Sequence, residues 1–217
     1  HPTETEISAA LKRMVIKSPV VAFLTGHGER SIDGIGERDY YAFSQYKDFR
    51  NSLVNQGFES ISLSLDSVNK VPENIDILVI SDVRTALSPK EQEIIENYIA
   101  EGRNLLIAGE PRRQEQMNPL LAPLGLSFMP GILVQESKDF STDLILANPT
   151  MASLNVINRF DKLLAFGNQI TMPSAVGIKQ TDEKGFKVVP ILTTDSTGSW
   201  NELETTNFIE DTARINP

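Results

Sequence analysis

Val20-Val21-Ala22-Phe23-Leu24 runs without a charge into Thr25-Gly26-His27-Gly28-Glu29-Arg30. Consecutive apolar residues that end at a polar, glycine-rich loop read as a strand covered on both faces of its sheet. Upstream, the spacing predicts a helix over 3–17. Thr3 and Glu6 stand at capping-box separation, Ile7, Ala10, Leu11, Met14 and Val15 make one apolar stripe, and Ser18-Pro19 is a stop. Downstream, a loop from Thr25 to about Asp39 leads to a predicted helix over 40–56, with Ala42, Tyr46, Phe49 and Leu53 at helical spacing and Gly57 as terminator. Ile61, Leu63 and Leu65 alternate with serines, as in a half-exposed strand near a sheet edge. Ile75–Ile80 and Asn104–Ala108 read as two more buried strands. Between them Ser88 caps, Pro89 occupies the first helical position and Glu91 reaches back, while Gly102 ends the helix.

Two helical crossovers between such strands predict an α/β fold, a mostly parallel, doubly wound sheet with neighbour order 2-1-3-4 counted from Val20. A β-rich C-terminal part follows. A short helix is expected around Met117–Leu124, with strands at Ile132–Gln135 and Leu144–Ala147. Phe186–Thr193 is expected to pair antiparallel with Ala175–Lys179 across the polar turn Thr181–Gly185. The whole chain, 1–217, reads as a single α/β domain with its core at about 3–205. Its ends look cut, so it is expected to be part of a longer protein.

Composition narrows the function. The net charge is −9 with no basic block, which argues against nucleic acid or anionic lipid as a partner. The absence of cysteine excludes disulfides, thiolate catalysis and cysteine-ligated zinc. With only His1 and His27 available, a histidine-built metal site is not expected either, and no cofactor is. The uncharged run Gln116–Gln135 contains three prolines and two glycines, so it reads as loop and short helix rather than a membrane span.

Ligands of open parallel sheets bind beyond the carboxyl ends of the strands, where the strand order reverses. With order 2-1-3-4 that place lies between the loops after strands 1 and 3. The candidates there are Gly26, His27, Gly28, Glu29, Arg30, Asp82 and Arg84, with Glu110 and Arg112 in the loop after strand 4. Glycines flanking His27 let the backbone approach a ligand or partner closely. The other reading is that strand ends always carry polar loops, and that His27 and these charges bind one another. Trp200, in a polar loop after a late strand, is either a partner contact or a plug at the edge of a core. Asp33, Glu37 and Asp39 read as solvated loop charges rather than a catalytic carboxylate set. Dinucleotide, phosphate-loop and nucleophile-elbow patterns are all absent.

The segment VAFLTGHGER at 21–30 resembles the opening strand and loop of the auxiliary domain of gliding-motility-type bacterial ABC transport proteins. The segment LSPKEQEIIENYIAEGRNLLIAGEP at 87–111, preceded by Ile77–Ile80, resembles that family's third strand, crossover helix and fourth strand. VVPILTTDSTGSW at 188–200 is similar to its late strand and loop. The resemblance covers about residues 5–205. It implies a flavodoxin-like or class I glutamine-amidotransferase-like sheet that lacks the catalytic cysteine, in agreement with the cysteine-free chain. It also implies a periplasmic domain of an inner-membrane protein, anchored through segments outside this sequence. Its partners would be ABC permease and ATPase subunits or envelope proteins, with a small molecule or glycan as a possible ligand. Gly26, His27, Gly28, Glu29 and Trp200 match the family's motif positions.

The function expected is therefore a non-catalytic binding or assembly module. The alternative is a hydrolase or carbohydrate-processing domain that uses His27 with Glu29 or Asp82.

Overall fold

The computed structural model describes residues 4–15, 17–156, 160–182 and 185–203, so the expected Thr3 cap lies outside the described residues. The chain divides into two compact units, His1–Gly109 and Glu110–Pro217, where the sequence reads as one domain.

The first unit runs α1 (Glu4–Val15), β1 (Val20–Thr25), α2 (Tyr41–Ser44), β2 (Glu59–Ser64), β3 (Ile77–Ser81), α3 (Pro89–Ala100) and β4 (Asn104–Ala108). Its four strands are parallel, in the expected order β2-β1-β3-β4. The central strand β1 aligns Val20 with Glu59 on one side and Val21 with Ile77 on the other. All of Val20–Leu24 is buried regardless of which face each residue points to, as a sheet covered on both sides requires. Val21, Phe23, Ile32 and Val79 form a core on one face, with Tyr40, Leu53 and Phe58 packed against it. Helix α3 buries Ile94, Ile95, Tyr98 and Ile99. The edge strand β2 is half-exposed, as its serines suggest.

Helix α3 begins as the sequence prescribes. The Ser88 side chain accepts from the Glu91 N–H, and the Glu91 carboxylate accepts from the Ser88 N–H. At its other end Gly102 takes a left-handed φ of +70°, where an L side chain would be strained. Arg103 then stacks on Tyr98, 4.5 Å from its ring centroid, and donates to the carbonyls of Val71, Pro72 and Ile75.

Residues 40–56 do not form the expected long helix. After the single turn α2, the ladder is diverted: the Leu53 N–H donates to the Phe43 carbonyl and the Val54 N–H to that of Ser44. The side-chain amide of Asn55 donates to the carbonyls of Lys47 and Phe49, and that of Gln56 to the carbonyl of Arg50. The segment folds back on itself as a compact loop, its carbonyls satisfied by side chains instead of by N–H groups four residues on. The stripe on α1 also differs from an ordinary packed face, since Ile7, Leu11, Met14 and Val15 are all exposed.

The second unit contains α4 (Gln114–Leu121), a short 3₁₀ turn at Ala122–Leu124, β5 (Leu126–Phe128), β6 (Ile132–Gln135), β7 (Leu144–Pro149), α5 (Phe160–Phe166), β8 (Ile170–Pro173), β9 (Ile178–Gln180), β10 (Leu192–Thr193) and β11 (Ser199–Glu202). Its sheets are small and antiparallel: β10-β7-β8, β11-β6 and β5-β9. The expected hairpin between 175–179 and 186–193 is not formed. Ile178–Gln180 is taken by β5, and the Thr181 N–H extends that pairing to the Gly125 carbonyl. Pro190 has no N–H to offer a ladder, and only Leu192–Thr193 pairs, with β7. No helix among the described residues is long and apolar enough to cross a membrane.

Candidate functional site

Strands β1 and β3 are neighbours, so their carboxyl ends deliver the loops Gly26–Arg30 and Asp82–Ser88 side by side. The two loops are bonded to each other. The His27 carbonyl accepts from the N–H groups of Arg84 and Thr85, and the Arg30 N–H donates to the Ser81 carbonyl. Gly26 and Gly28 have φ of +122° and +78°, and a Cβ on Gly28 would lie 3.1 Å from that of Arg84. A glycine at 28 is what lets the Arg84 stem lie against the loop.

His27 is 9% exposed and sits between two carboxylates. Its Nδ1 lies 3.3 Å from Glu29 Oε1 and its Nε2 3.2 Å from Glu91 Oε2. The Glu29 carboxylate also accepts from the His27 N–H at 2.7 Å. Glu91 Oε2 accepts from the Ser88 N–H at 2.8 Å and from the Ser88 hydroxyl at 2.6 Å. Burial raises the Glu91 pKa, but the Ser88 hydroxyl and N–H together with His27 outweigh it and hold the carboxyl below its ordinary value. Both ring nitrogens thus face carboxylates, and the capping box of α3 serves also as an anchor for the loop after β1.

Asp82 makes a second knot. It is buried, has a left-handed φ of +52° and donates its N–H to the Ala108 carbonyl of β4. Its Oδ2 accepts from Arg38 Nη2 at 2.8 Å and lies 3.7 Å from Arg84 Nε. Arg30 donates to the Arg38 carbonyl and stands over the Tyr40 ring, 5.5 Å from its centroid. Of the expected residues, Gly26, His27, Gly28, Glu29, Arg30, Asp82 and Arg84 therefore meet at one end of the parallel sheet. The Asp82 carboxylate turns to the arginines, and His27 turns to Glu29 and Glu91. Glu91, Ser88 and Arg38 escape the sequence reading. The capping box makes Ser88 and Glu91 visible as a helix start, but the bond from Glu91 to His27 spans 64 positions, and no local spacing signals it.

Glu110, Arg112 and Trp200 belong to the second unit. Arg112 has a left-handed φ of +66°. Trp200 is on strand β11, opposite Val134, and packs with Ile132 against that buried residue. It is half-buried and plugs a small core, the second of its two sequence readings. The same strand pair depends on Gly131, where a Cβ would fall 2.1 Å from the Glu202 carbonyl oxygen. Gln114 of α4 donates to the carbonyls of Met129 and Gly131, and Asn118 bonds the backbone of Phe128 in both directions. No group of three or more acidic or histidine side chains among the described residues could hold a metal ion.

A solved structure, the mmIFT52 N-terminal domain, shares the fold. The TM-score is 0.57 at 15% identity, covering 83% of this chain and 75% of that one. No curated protein sequence matches the chain. The family described as ABC-type uncharacterized transport system matches residues 18–214. That span takes in the parallel sheet, the bonded strand-end loops and the β-rich second unit, and the chain belongs to this family of ABC transport auxiliary domains.

Proposed function

We propose that this chain is a non-catalytic docking module of its ABC-type transport system, held outside the cytoplasm by a longer membrane-anchored protein. Its work is to present the strand-end loops to a transporter subunit, an envelope protein or the transported substrate. The fold is that of a glutamine-amidotransferase-like, flavodoxin-like sheet emptied of its chemistry, in a gliding-motility-type complex.

One observation carries this reading: the ring of His27 is spent on the protein itself. A general base needs a nitrogen within hydrogen-bond reach of substrate. Here each ring nitrogen lies against a carboxylate, and the ring is nearly enclosed. The cysteine-free sequence supplies no thiolate nucleophile. The loops are stitched by backbone hydrogen bonds into a preformed surface, which favours docking because little ordering entropy is lost on binding.

The test is site-specific crosslinking in cells from the intact parent protein. With no native cysteine in this chain, a thiol placed at Thr85, an exposed residue of the loop after β3, is unique within it. Capture of a permease or envelope subunit supports the reading, and capture of the ATPase alone would overturn the placement outside the cytoplasm. The hydrolase alternative predicts a turnover that falls about 100-fold or more on His27→Ala. Such a loss, without unfolding, would replace the docking reading with a catalytic one.

A further inference from the structure

A different surface of the first unit has the features of a cation receptor. Between the Gly34–Asp39 loop and α2 lies a cleft of about 220 Å3, lined by Gly34, Ile35, Gly36, Asp39, Tyr41 and Tyr46 among others. Two tyrosines converge there because the chain turns back after α2: the Tyr46 N–H donates to the Tyr41 carbonyl. Their rings lie 6.0 Å apart, tilted by 39°. Tyrosine faces carry negative potential and attract ammonium and guanidinium groups.

An acid completes the cleft. The Gly36 N–H donates to Asp39 Oδ2 at 2.9 Å and fixes the carboxylate at the edge of the cleft. A Cβ on Gly34 would fall 2.2 Å from the same oxygen, so glycine at 34 leaves the carboxylate its place. The loop 33–39 carries Asp33, Glu37 and Asp39 against one cation, Arg38. That guanidinium reaches away to Asp82 at 2.8 Å. Ile35 and Tyr46 of the lining are exposed and Ala42 adds a methyl group, apolar surface of the kind that packs along an arginine stem.

We propose that this cleft binds an arginine side chain of a protein partner, with the guanidinium over the Tyr41 and Tyr46 rings and paired with Asp39. Arginine fits better than lysine here, because a planar fork can stack and bond a carboxylate together. The inference rests on the docking role above and names the chemistry of one contact in it.

The 217-residue chain is titrated with N-acetyl-arginine amide and, separately, with the uncharged N-acetyl-citrulline amide, with the Tyr41 and Tyr46 ring signals followed by NMR. The expected result is a saturable shift of both rings, with citrulline at least about fivefold weaker. Asp39→Asn keeps an acceptor for the Gly36 N–H but removes the charge, and is expected to weaken arginine by about fivefold. Tyr46→Leu, at an exposed position, is expected to weaken it by a similar factor. Absence of a saturable ring shift, equal response to citrulline, or indifference to both substitutions would overturn the inference. If the cleft ignores arginine while thiols at the strand-end loop still capture a transporter subunit, only this inference falls. If arginine binds but no position captures a partner, the docking role falls and the cleft remains a site without its proposed occupant.

Discussion

Replacing His27 with alanine strips the cation-capable group from between two buried carboxylates. The Glu29 and Glu91 side chains are 1% and 6% exposed, so neither can recover hydration in place. Breaking a buried pair by removing one partner typically costs about 3–5 kcal/mol. Part of that is offset here, because Glu29 keeps the N–H of residue 27 and Glu91 keeps both donors of Ser88. The expected loss is about 2–4 kcal/mol, a urea midpoint lowered by about 1–2 M at an ordinary denaturant slope. Far-UV circular dichroism during urea unfolding measures it. A double-mutant cycle separates charge from packing: with alanine at 27, Glu91→Gln should restore about 1–2 kcal/mol, since a neutral amide is cheaper to bury than an orphaned carboxylate. A loss below about 0.5 kcal/mol, or no rescue by the amide, would refute the idea that His27 works as a buried clamp.

The remaining expectations concern pH, a strand pair and an arginine. Because the folded-state pKa of Glu91 is depressed, its contribution is fully present above the ordinary carboxylate value of 4.5 and is lost as pH falls through the lower folded value. Glu91→Gln should flatten that acid limb in unfolding measured at stepped pH, while stability near neutrality also drops. Gly131→Ala forces a Cβ onto the Glu202 carbonyl at a residue with φ of +81°, and should disrupt the β6–β11 pairing. The fluorescence of Trp200, the only tryptophan, should then shift to the red as its packing on Val134 loosens. Arg103→Ala removes three bonds to the 71–75 backbone and the stacking on Tyr98, and should cost about 2–3 kcal/mol in the same urea assay. Arg103→Lys should recover little of it, because one ammonium cannot span three carbonyls and a ring face together.

Where local rules decide conformation, the sequence is a sufficient guide. The run Val20–Leu24, the Ser88-Pro89-Glu91 helix start and the left-handed Gly102 each act within a few residues, and each appears as read. The order β2-β1-β3-β4 matches the expectation from strands joined by crossovers, although the first crossover is a folded-back loop and only α3 is the long helix expected. Residues 40–56 mislead because the helical period of Ala42, Tyr46, Phe49 and Leu53 is also compatible with a folded-back loop, and the asparagine and glutamine side chains that stabilise it carry no periodic signature. The C-terminal strands mislead because antiparallel partners are chosen by tertiary packing, and β9 finds β5 some fifty positions upstream rather than its neighbour. At the site, sequence names the strand-end residues, but which charge meets which is settled by geometry. The sequence offers Asp82 as a partner for His27, but in the folded loops its carboxylate takes Arg38, 44 positions away.

The placement of β1 has a consequence for how the chain is made. Its two ladder partners, β2 and β3, begin at Glu59 and Ile77, so Val20–Leu24 cannot satisfy both edges until translation has passed the second of them. On the ribosome this segment emerges early as a bare apolar strand and waits for partners still unsynthesised. A trigger for chaperone capture is therefore built into the order of the strands, and nascent chains arrested before residue 77 should be the species most readily retained by a holdase.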